Sequence, residues 1–259
     1  MLRKIFGSLS PGAGSGSTLV ALGTLVIAGC DWHGARYPTE ATVHAMVVHG
    51  VLVSGVEAQE ILVERTRSVG EGFFRGLTPL EGAKVEVTTG DETHVFREDA
   101  GNPGVFRARF VPRVGERYRL HVTAPDGQRA EGHAVIPGTP RLLVPMADTA
   151  ARPGDDFSLH WTRVPAAGYV VVRGTLTAGA ATPFREFVYA HVIQDTTART
   201  GLALLENQPR RFGIAAVDSG FARYLRTERG GPLHAELGGA YGLFGAVAFS
   251  NERRVMVAR

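Results

Sequence analysis

The sequence predicts an all-β protein made of two β-sandwich domains behind a short export signal. Three observations lead to this prediction. From Thr42 onward, valine-rich segments alternate apolar and polar residues, which is typical of half-buried strands. The 33 glycines and 14 prolines divide these segments into short pieces, as turns do in β proteins. A proline-rich stretch, 137–153, separates two such regions and indicates a linker.

The first 30 residues have the organisation of a bacterial lipoprotein signal. Arg3 and Lys4 supply the positive start. Leu19–Ile27 is an apolar run that is too short for a membrane span, which needs about 20 apolar residues. The run ends in Ile27-Ala28-Gly29-Cys30, where a branched apolar residue and two small residues precede the only cysteine. We therefore expect Cys30 to be the lipid-attachment site.

Two other interpretations of this segment stay open. Cys30 is a small buried residue if the signal is an ordinary one, and the apolar run is a plain N-terminal anchor helix if it is not cleaved. The lipid interpretation is favoured because the four-residue match directly follows the apolar run. A diacylglycerol thioether, with a further acyl chain such as palmitate on the amine, would hold the chain at a membrane, since stable anchoring takes more than one chain.

The patterns divide the 259 residues into four parts. The predicted parts are a signal peptide (1–29), a lipid tether (30–40), a first sandwich (41–137) and a second sandwich (138–259). The roughly 230 residues after the signal are enough to build substantial apolar cores.

The charge of the exported chain gives no reason to expect a nucleic-acid partner. The sequence has 28 lysines and arginines against 25 acids, and loss of Arg3 and Lys4 with the signal leaves 26 against 25. A net charge near +1 is not the basic footprint that a phosphate backbone requires. Because there is only one cysteine, no internal disulfide is available and apolar packing has to hold the fold.

Seven strands are predicted in the first sandwich. They are Val43–Val56, Glu60–Thr66, Ala83–Thr88, Thr93–Arg97, Val105–Phe110, Arg117–Thr123 and Arg129–Ile136. In the sixth of these strands the apolar residues share one face, while Arg117, Arg119 and His121 share the other. Asp126-Gly127 predicts a tight hairpin turn between the last two strands, because glycine tolerates positive φ.

Six strands and one helix are predicted in the second sandwich. The strands are Phe157–Trp161, Tyr169–Leu176, Phe184–Ile193, Arg211–Val217, Leu243–Phe249 and Arg254–Val257, with Leu142–Val144 as an alternative first strand. The last two strands are expected to form a closing hairpin. Asp218 is expected to cap a helix over Ser219–Thr227. Trp161 ends an alternating apolar series and is therefore expected in the core.

Short motifs in each half carry a resemblance to known sandwiches. Leu80–Val87 (LEGAKVEV), Gly104–Phe106 (GVF) and Gly115–Val122 (GERYRLHV) resemble successive strands of carboxypeptidase-regulatory-like or prealbumin-like domains. Phe157–Trp161 followed by Tyr169 resembles the early strands of a fibronectin-III-like domain. The resemblance implies Ig-like or fibronectin-like sandwiches in both halves.

The mature chain as a whole resembles a family of uncharacterised bacterial envelope lipoproteins. Besides Cys30, this resemblance depends on Ala216-Val217-Asp218 and Tyr241–Gly245 (YGLFG). Members are often encoded next to TonB-dependent outer-membrane receptors. The resemblance therefore implies an outer-membrane location and a receptor partner, and it brings no catalytic residues with it.

No catalytic or metal-binding motif is evident. The nine histidines form no H-x-H, H-x-x-x-H or HExxH pattern, and no serine lies in G-x-S-x-G. No cysteine remains for zinc once Cys30 is lipidated. Asp155-Asp156 could bind calcium, although adjacent acids at the start of a strand are more often solvated. We accordingly expect a non-enzymatic protein without cofactor or metal.

The predicted contact surface is the glycine-rich segment from Ser219 to Phe244. Loops on a rigid sandwich often bind partners, and this segment mixes aromatic residues with arginines. The candidate contact residues are Phe221, Tyr224, Arg226, Tyr241 and Phe244. The alternative is that the aromatic residues only cover the edge of the sandwich. The expected function is a lipid-anchored accessory or binding protein, with an unrecognised hydrolase and a structural or adhesion spacer as alternatives.

Overall fold

The structure is a computed structural model. It describes residues 44–67, 78–146, 149–151, 157–175, 184–187, 192–200, 210–227 and 237–257. The predicted signal peptide, Cys30, the tether and Asp155-Asp156 lie outside these residues. Within them, no helix combines the length and the apolar character needed to cross a membrane.

The described residues form sixteen strands and one helix. The strands are β1 (Met46–Val53), β2 (Ala58–Arg65), β3 (Lys84–Thr89), β4 (Glu92–Asp99), β5 (Asn102–Arg109), β6 (Arg117–Thr123), β7 (Arg129–Val135), β8 (Leu142–Val144), β9 (Thr149–Ala151), β10 (Phe157–Trp161), β11 (Gly168–Thr175), β12 (Phe184–Phe187), β13 (Thr197–Thr200), β14 (Arg210–Val217), β15 (Tyr241–Phe249) and β16 (Arg253–Val257). The helix is α1 (Ser219–Thr227). Regular structure is thus almost entirely β, which confirms the predicted fold class.

The first half is a sandwich whose two layers meet at β4. One layer has the order β1-β2-β5-β4 and the other β4-β3-β6-β7, so β4 pairs with β5 on one side and with β3 on the other. Alternate residues of each strand point into a shared core that includes Met46, Ile61, Val85, Phe106 and Tyr118. The period-two pattern that predicted these strands is the cause of this arrangement, since it places one apolar face on every strand.

The β6–β7 hairpin confirms the turn predicted from its sequence. Gly127 has φ of 88°, a conformation that glycine adopts without strain. Its N–H donates to the carbonyl of Ala124 at 2.9 Å, and the Asp126 carboxylate accepts from the Gln128 N–H at 3.0 Å. Asp126 also accepts from Arg65 of β2 at 2.6 Å, which ties the tip of the hairpin to the opposite layer.

The second half is built around β14, which is buried on both faces. Its sheet has the order β12-β11-β14-β15, and α1 packs on one face of it. The other face packs against a three-stranded sheet of order β13-β10-β8. Trp161 lies between these two sheets and is 3% exposed, so its predicted burial in the second core is confirmed.

The prediction that β15 and β16 form a closing hairpin is wrong. Both strands pair with the same partner, β14: Phe249 lies opposite Ala215, and Arg253 lies opposite Phe212. Between them the chain bulges at Ser250, whose hydroxyl accepts the Ile214 N–H at 2.9 Å. The two segments therefore run along β14 as one interrupted strand. Two apolar runs separated by a polar gap look alike in sequence whether that gap is a turn or a bulge.

Strand pairing also crosses the predicted boundary between the two sandwiches. β1 pairs in parallel with β15 along seven residue pairs, from Val47–Tyr241 to Val53–Val247. The Ser54 N–H extends this ladder by donating to the Val247 carbonyl at 2.9 Å. The predicted division at 137/138 falls between β7 and β8. That the two halves fold independently of each other stays a prediction. In the structure, the described residues all fall in one compact unit.

Candidate functional site

The structure separates the five predicted contact residues. The helix over Ser219–Thr227 is confirmed, whereas residues 228–236 of the predicted surface lie outside the described part of the chain. Phe221 is 6% exposed and packs in the core beneath α1, and Phe244 is 1% exposed and packs in the core of the first sandwich. Both are packing residues in this structure. Tyr224 is partly buried against the same core as Phe221.

Arg226 and Tyr241 are the exposed members of the predicted set. Tyr241 begins β15, where it lies opposite Val47 of β1, and 37% of its surface is accessible. Arg226 lies in the last turn of α1 and lines a cleft of about 320 Å³ between that helix and the loop before β11. Arg163 and Gln194 line the same cleft.

Two glycines of the predicted surface approach the protein's own backbone. Gly239 has φ of 80°, and a Cβ there would lie 2.2 Å from the carbonyl oxygen of Arg129 in β7. Gly242 has φ of 107°, and a Cβ there would lie 2.1 Å from the carbonyl oxygen of Val48 in β1. At these two positions the lack of a side chain therefore serves close packing within the fold.

Asp218 connects three elements at the junction of the two halves. Its carboxylate accepts the Phe221 N–H at 2.9 Å, which caps α1 as predicted. It also accepts the Ala246 N–H of β15 at 3.2 Å and the Val135 N–H of β7 at 3.3 Å. Burial raises the pKa of this carboxyl, and the three backbone donors and nearby His133 only partly oppose the shift. Sequence predicts the cap alone, since the other two donors are distant in the chain.

Replacing Asp218 with alanine is expected to lower the free energy of unfolding by about 2–3 kcal/mol, because three backbone N–H groups lose their acceptor. The exposed neighbour variant Ser219→Ala is the matched control and should stay within about 0.5 kcal/mol. Chemical denaturation of both variants measures the effect, and an equal loss in the two would contradict the junction role.

The raised pKa of Asp218 also predicts a pH dependence. The folded state keeps the proton at a pH where the unfolded carboxyl, with an ordinary pKa of about 3.9, has lost it. Its contribution to stability is therefore greatest below that ordinary value and falls as pH rises through the higher folded value. Asp218→Asn, which does not titrate, should lose less stability than the parent over this window.

The second candidate surface is the outward side of β6 and β7, which we call the arginine face. It consists of Arg117, Arg119, His121, Glu131 and His133. Arg119 lies opposite His133, and His121 lies opposite Glu131, with 3.7 Å between His121 Nδ1 and Glu131 Oε1. These five side chains, together with Gly238, border a groove of about 430 Å³.

A second groove adjoins the arginine face on its β3 side. It has a volume of about 410 Å³ and is lined by Thr88, Gly90 and Glu116 in addition to Arg117 and Arg119. The two arginines thus stand between two grooves. The alternation of β6 predicted that they point outward, but only the strand register shows that His133 faces them.

In the part of the chain that the structure describes, no three His, Cys, Asp or Glu side chains lie close enough together to hold a metal ion. Open grooves beside two neighbouring outward arginines are features of a surface that can bind an anion, since a guanidinium group matches carboxylate and phosphate oxygens.

Comparison with protein families identifies the chain. Residues 36–171, which are just over half of its 259 residues, match the family described as a domain of unknown function (DUF4249). The chain belongs to this family. The matched part extends from before β1 into β11 and so contains the arginine face, while α1, β14 and β15 of this DUF4249 protein lie beyond it.

Comparison with curated proteins gave no match. Similar solved structures include the fibronectin(III)-like modules of Clostridium thermocellum CbhA, at 14% identity over 82% of this chain and 90% of that one, with a TM-score of 0.24. A biofilm-associated protein BSP domain is 10% identical over 83% and 30% of the two chains, with a TM-score of 0.23. Two fibronectin type III domains of chicken tenascin are 12% identical over 69% and 93%, with a TM-score of 0.22.

Proposed function

We propose that this DUF4249 protein is a lipid-anchored, non-enzymatic binding module of the bacterial cell envelope, held at the outer membrane through Cys30. The observation that carries the proposal is Ile27-Ala28-Gly29-Cys30 directly after an apolar run. Fifteen residues separate Cys30 from Met46, where β1 begins. An extended segment of this length reaches up to about 50 Å, which is enough to hold a folded sandwich clear of the lipid headgroups.

The partner that fits this location is a TonB-dependent outer-membrane receptor. This part of the proposal depends on the resemblance to envelope lipoproteins that are encoded beside such receptors, so it is an argument by analogy. Arg226 and Tyr241 are the exposed members of the five predicted contact residues and are of the types enriched at protein interfaces. Tyr224 is partly buried against the core beneath α1.

Replacing Cys30 with alanine is expected to move the protein from the detergent phase to the aqueous phase when its membranes are extracted with a phase-separating detergent. The thiol is the group that would form the thioether, so its loss removes the lipid. The measurement is the phase distribution together with the mass of the N-terminal peptide. A parent protein without acyl mass on Cys30, or an unchanged distribution of the variant, would refute the anchor.

A serine variant away from the signal, such as Ser54→Ala in the β1–β2 turn, is the control and should partition like the parent. Cross-linking of the same parent membranes, followed by mass spectrometry, tests the receptor. Capture of no TonB-dependent receptor would remove that partner from the proposal and leave the lipid anchor standing.

A further inference from the structure

We infer that the arginine face binds a phosphate group, carried either by a small soluble compound or by a lipid headgroup. The side chains that would hold it are Arg117 and Arg119 of β6 and His133 of β7. This inference goes beyond the proposed function, because it assigns a ligand class to a surface that the proposed receptor contact does not include.

The first argument is the placement of the two arginines. Residues two apart on a strand point to the same side and lie roughly 7 Å from each other, so Arg117 and Arg119 extend in parallel from β6. At that spacing, two long side chains can converge on one tetrahedral anion. Each guanidinium group offers paired N–H donors that match two phosphate oxygens.

The second argument is that the guanidinium groups of the two arginines have no partner within the described residues. Neither group forms a hydrogen bond or an ion pair there. By contrast, Arg65 donates to Asp126 and Arg113 donates to Glu92, each at 2.6 Å. Three carboxylates lie around the arginine face, and none of them forms an ion pair with Arg117 or Arg119. Glu131 lies 3.7 Å from His121, Glu86 accepts from Lys84 at 2.9 Å, and Glu116 borders the second groove.

The third argument is the shape of the surface. The groove of about 430 Å³ is bordered on one side by β6 and on the other by Gly238, which forms a two-way backbone bridge with Glu131 of β7. Gly238 has no side chain to fill the groove. His133 lies opposite Arg119, so an imidazole N–H can complete the donors around a phosphate that the arginines hold.

Phosphate is favoured over a single carboxylate by the number of donors. A carboxylate has two oxygens and is satisfied by one guanidinium group. A phosphate monoester presents three oxygens and carries close to two negative charges at neutral pH, so it can use both arginines and the histidine. Its second charge also adds to the attraction by the two arginines.

The test uses the full chain, produced without export so that it carries no lipid, and compares two matched double variants. Arg117→Gln with Arg119→Gln removes the proposed donors. Arg97→Gln with Arg129→Gln removes the same charge from exposed positions of β4 and β7 that border neither groove. Titration with inorganic phosphate is followed by NMR, with chloride at equal ionic strength as the reference.

We expect the parent and the Arg97/Arg129 variant to bind phosphate with affinities within twofold of each other, and the Arg117/Arg119 variant to bind at least tenfold more weakly. A second arm measures co-sedimentation with phosphatidylcholine vesicles containing phosphatidic acid or, at matched surface charge, phosphatidylglycerol. Preference for phosphatidic acid that is lost in the Arg117/Arg119 variant assigns the phosphate to a lipid. Binding of inorganic phosphate without vesicle binding assigns it to a soluble compound.

The inference is overturned if the parent binds neither inorganic phosphate nor phosphatidic acid vesicles. It is equally overturned if chloride produces the same spectral change, or if both double variants lose binding alike, since each result would mean general charge attraction. None of these results bears on lipid attachment at Cys30, which is measured separately by phase distribution.

Discussion

Replacing Trp161 with alanine is expected to lower the free energy of unfolding by about 3–5 kcal/mol. The indole is 3% exposed and fills the space between the three-stranded sheet and the larger sheet of the second half. It packs edge-on against Tyr169, with 5.5 Å between ring centroids and 61° between ring planes. Truncation to alanine would remove this contact and leave a cavity among Leu142, Leu159 and Val171.

Trp161→Phe separates the loss of volume from the loss of the indole N–H. Within the described residues, the buried Nε1 of Trp161 has no hydrogen-bond partner. The parent therefore already bears the cost of that unsatisfied donor, and phenylalanine removes it while keeping most of the apolar ring. We expect a loss below about 1.5 kcal/mol for this variant.

Urea denaturation followed by far-ultraviolet circular dichroism measures both Trp161 variants against the parent. This readout is preferable to fluorescence, because the sequence has only two tryptophans and the substitution removes one of them. If the alanine variant unfolded within about 0.5 kcal/mol of the parent, the core of the second half would have to be assigned to other residues.

Local patterns in the sequence predicted most of the elements, because each element is fixed by residues close in the chain. β6 was predicted with its observed limits because apolar and polar residues alternate without interruption from Arg117 to Thr123. α1 was predicted with its observed limits because Asp218 supplies a cap and Phe221 and Leu225 lie one turn apart. In both cases the signal and the structure it predicts occupy the same few residues.

The pairing between distant strands could not be predicted in this way. Val47–Val53 pairs in parallel with Tyr241–Val247, which follows about 190 residues later in the chain. No residue pattern within either segment indicates this partner. The same limit explains the β15–β16 error, since the choice between a turn and a bulge depends on β14. It also explains why Phe244 was assigned to a contact surface, although it packs in the core of the first sandwich.

The arginine face shows the same division between local and distant information. Alternation within β6 places Arg117, Arg119 and His121 on the outer side. The position of His133 opposite Arg119 depends on the register that the turn at Asp126-Gly127 imposes on β7. Gly238, which borders the groove, comes from the second half of the chain. The proposed ligand site combines residues of β6, of β7 and of the segment that contains Gly238. It can therefore be recognised only once the pairing of these segments is known.

Replacing Gly242 with alanine is expected to lower the free energy of unfolding by about 2–5 kcal/mol, because two separate penalties fall on the same residue. A non-glycine residue at a left-handed φ such as its 107° costs about 1–2 kcal/mol. In addition, the new Cβ would lie 2.1 Å from the carbonyl oxygen of Val48, which belongs to the backbone of β1 and cannot rotate away. Overpacking of this kind adds roughly 1–3 kcal/mol and should loosen the pairing of β1 with β15.

Two matched glycine variants separate these penalties. Gly127→Ala carries the φ penalty alone, since its φ is 88° and a Cβ there meets no atom within 4 Å. Gly238→Ala carries neither, because the nearest atom to its Cβ would be 3.9 Å away. Urea denaturation should therefore rank the losses as Gly238→Ala, then Gly127→Ala, then Gly242→Ala. If Gly242→Ala cost no more than Gly127→Ala, β15 would not approach β1 as closely as the structure shows, and the strand pairing that joins the two halves would be weaker than we infer.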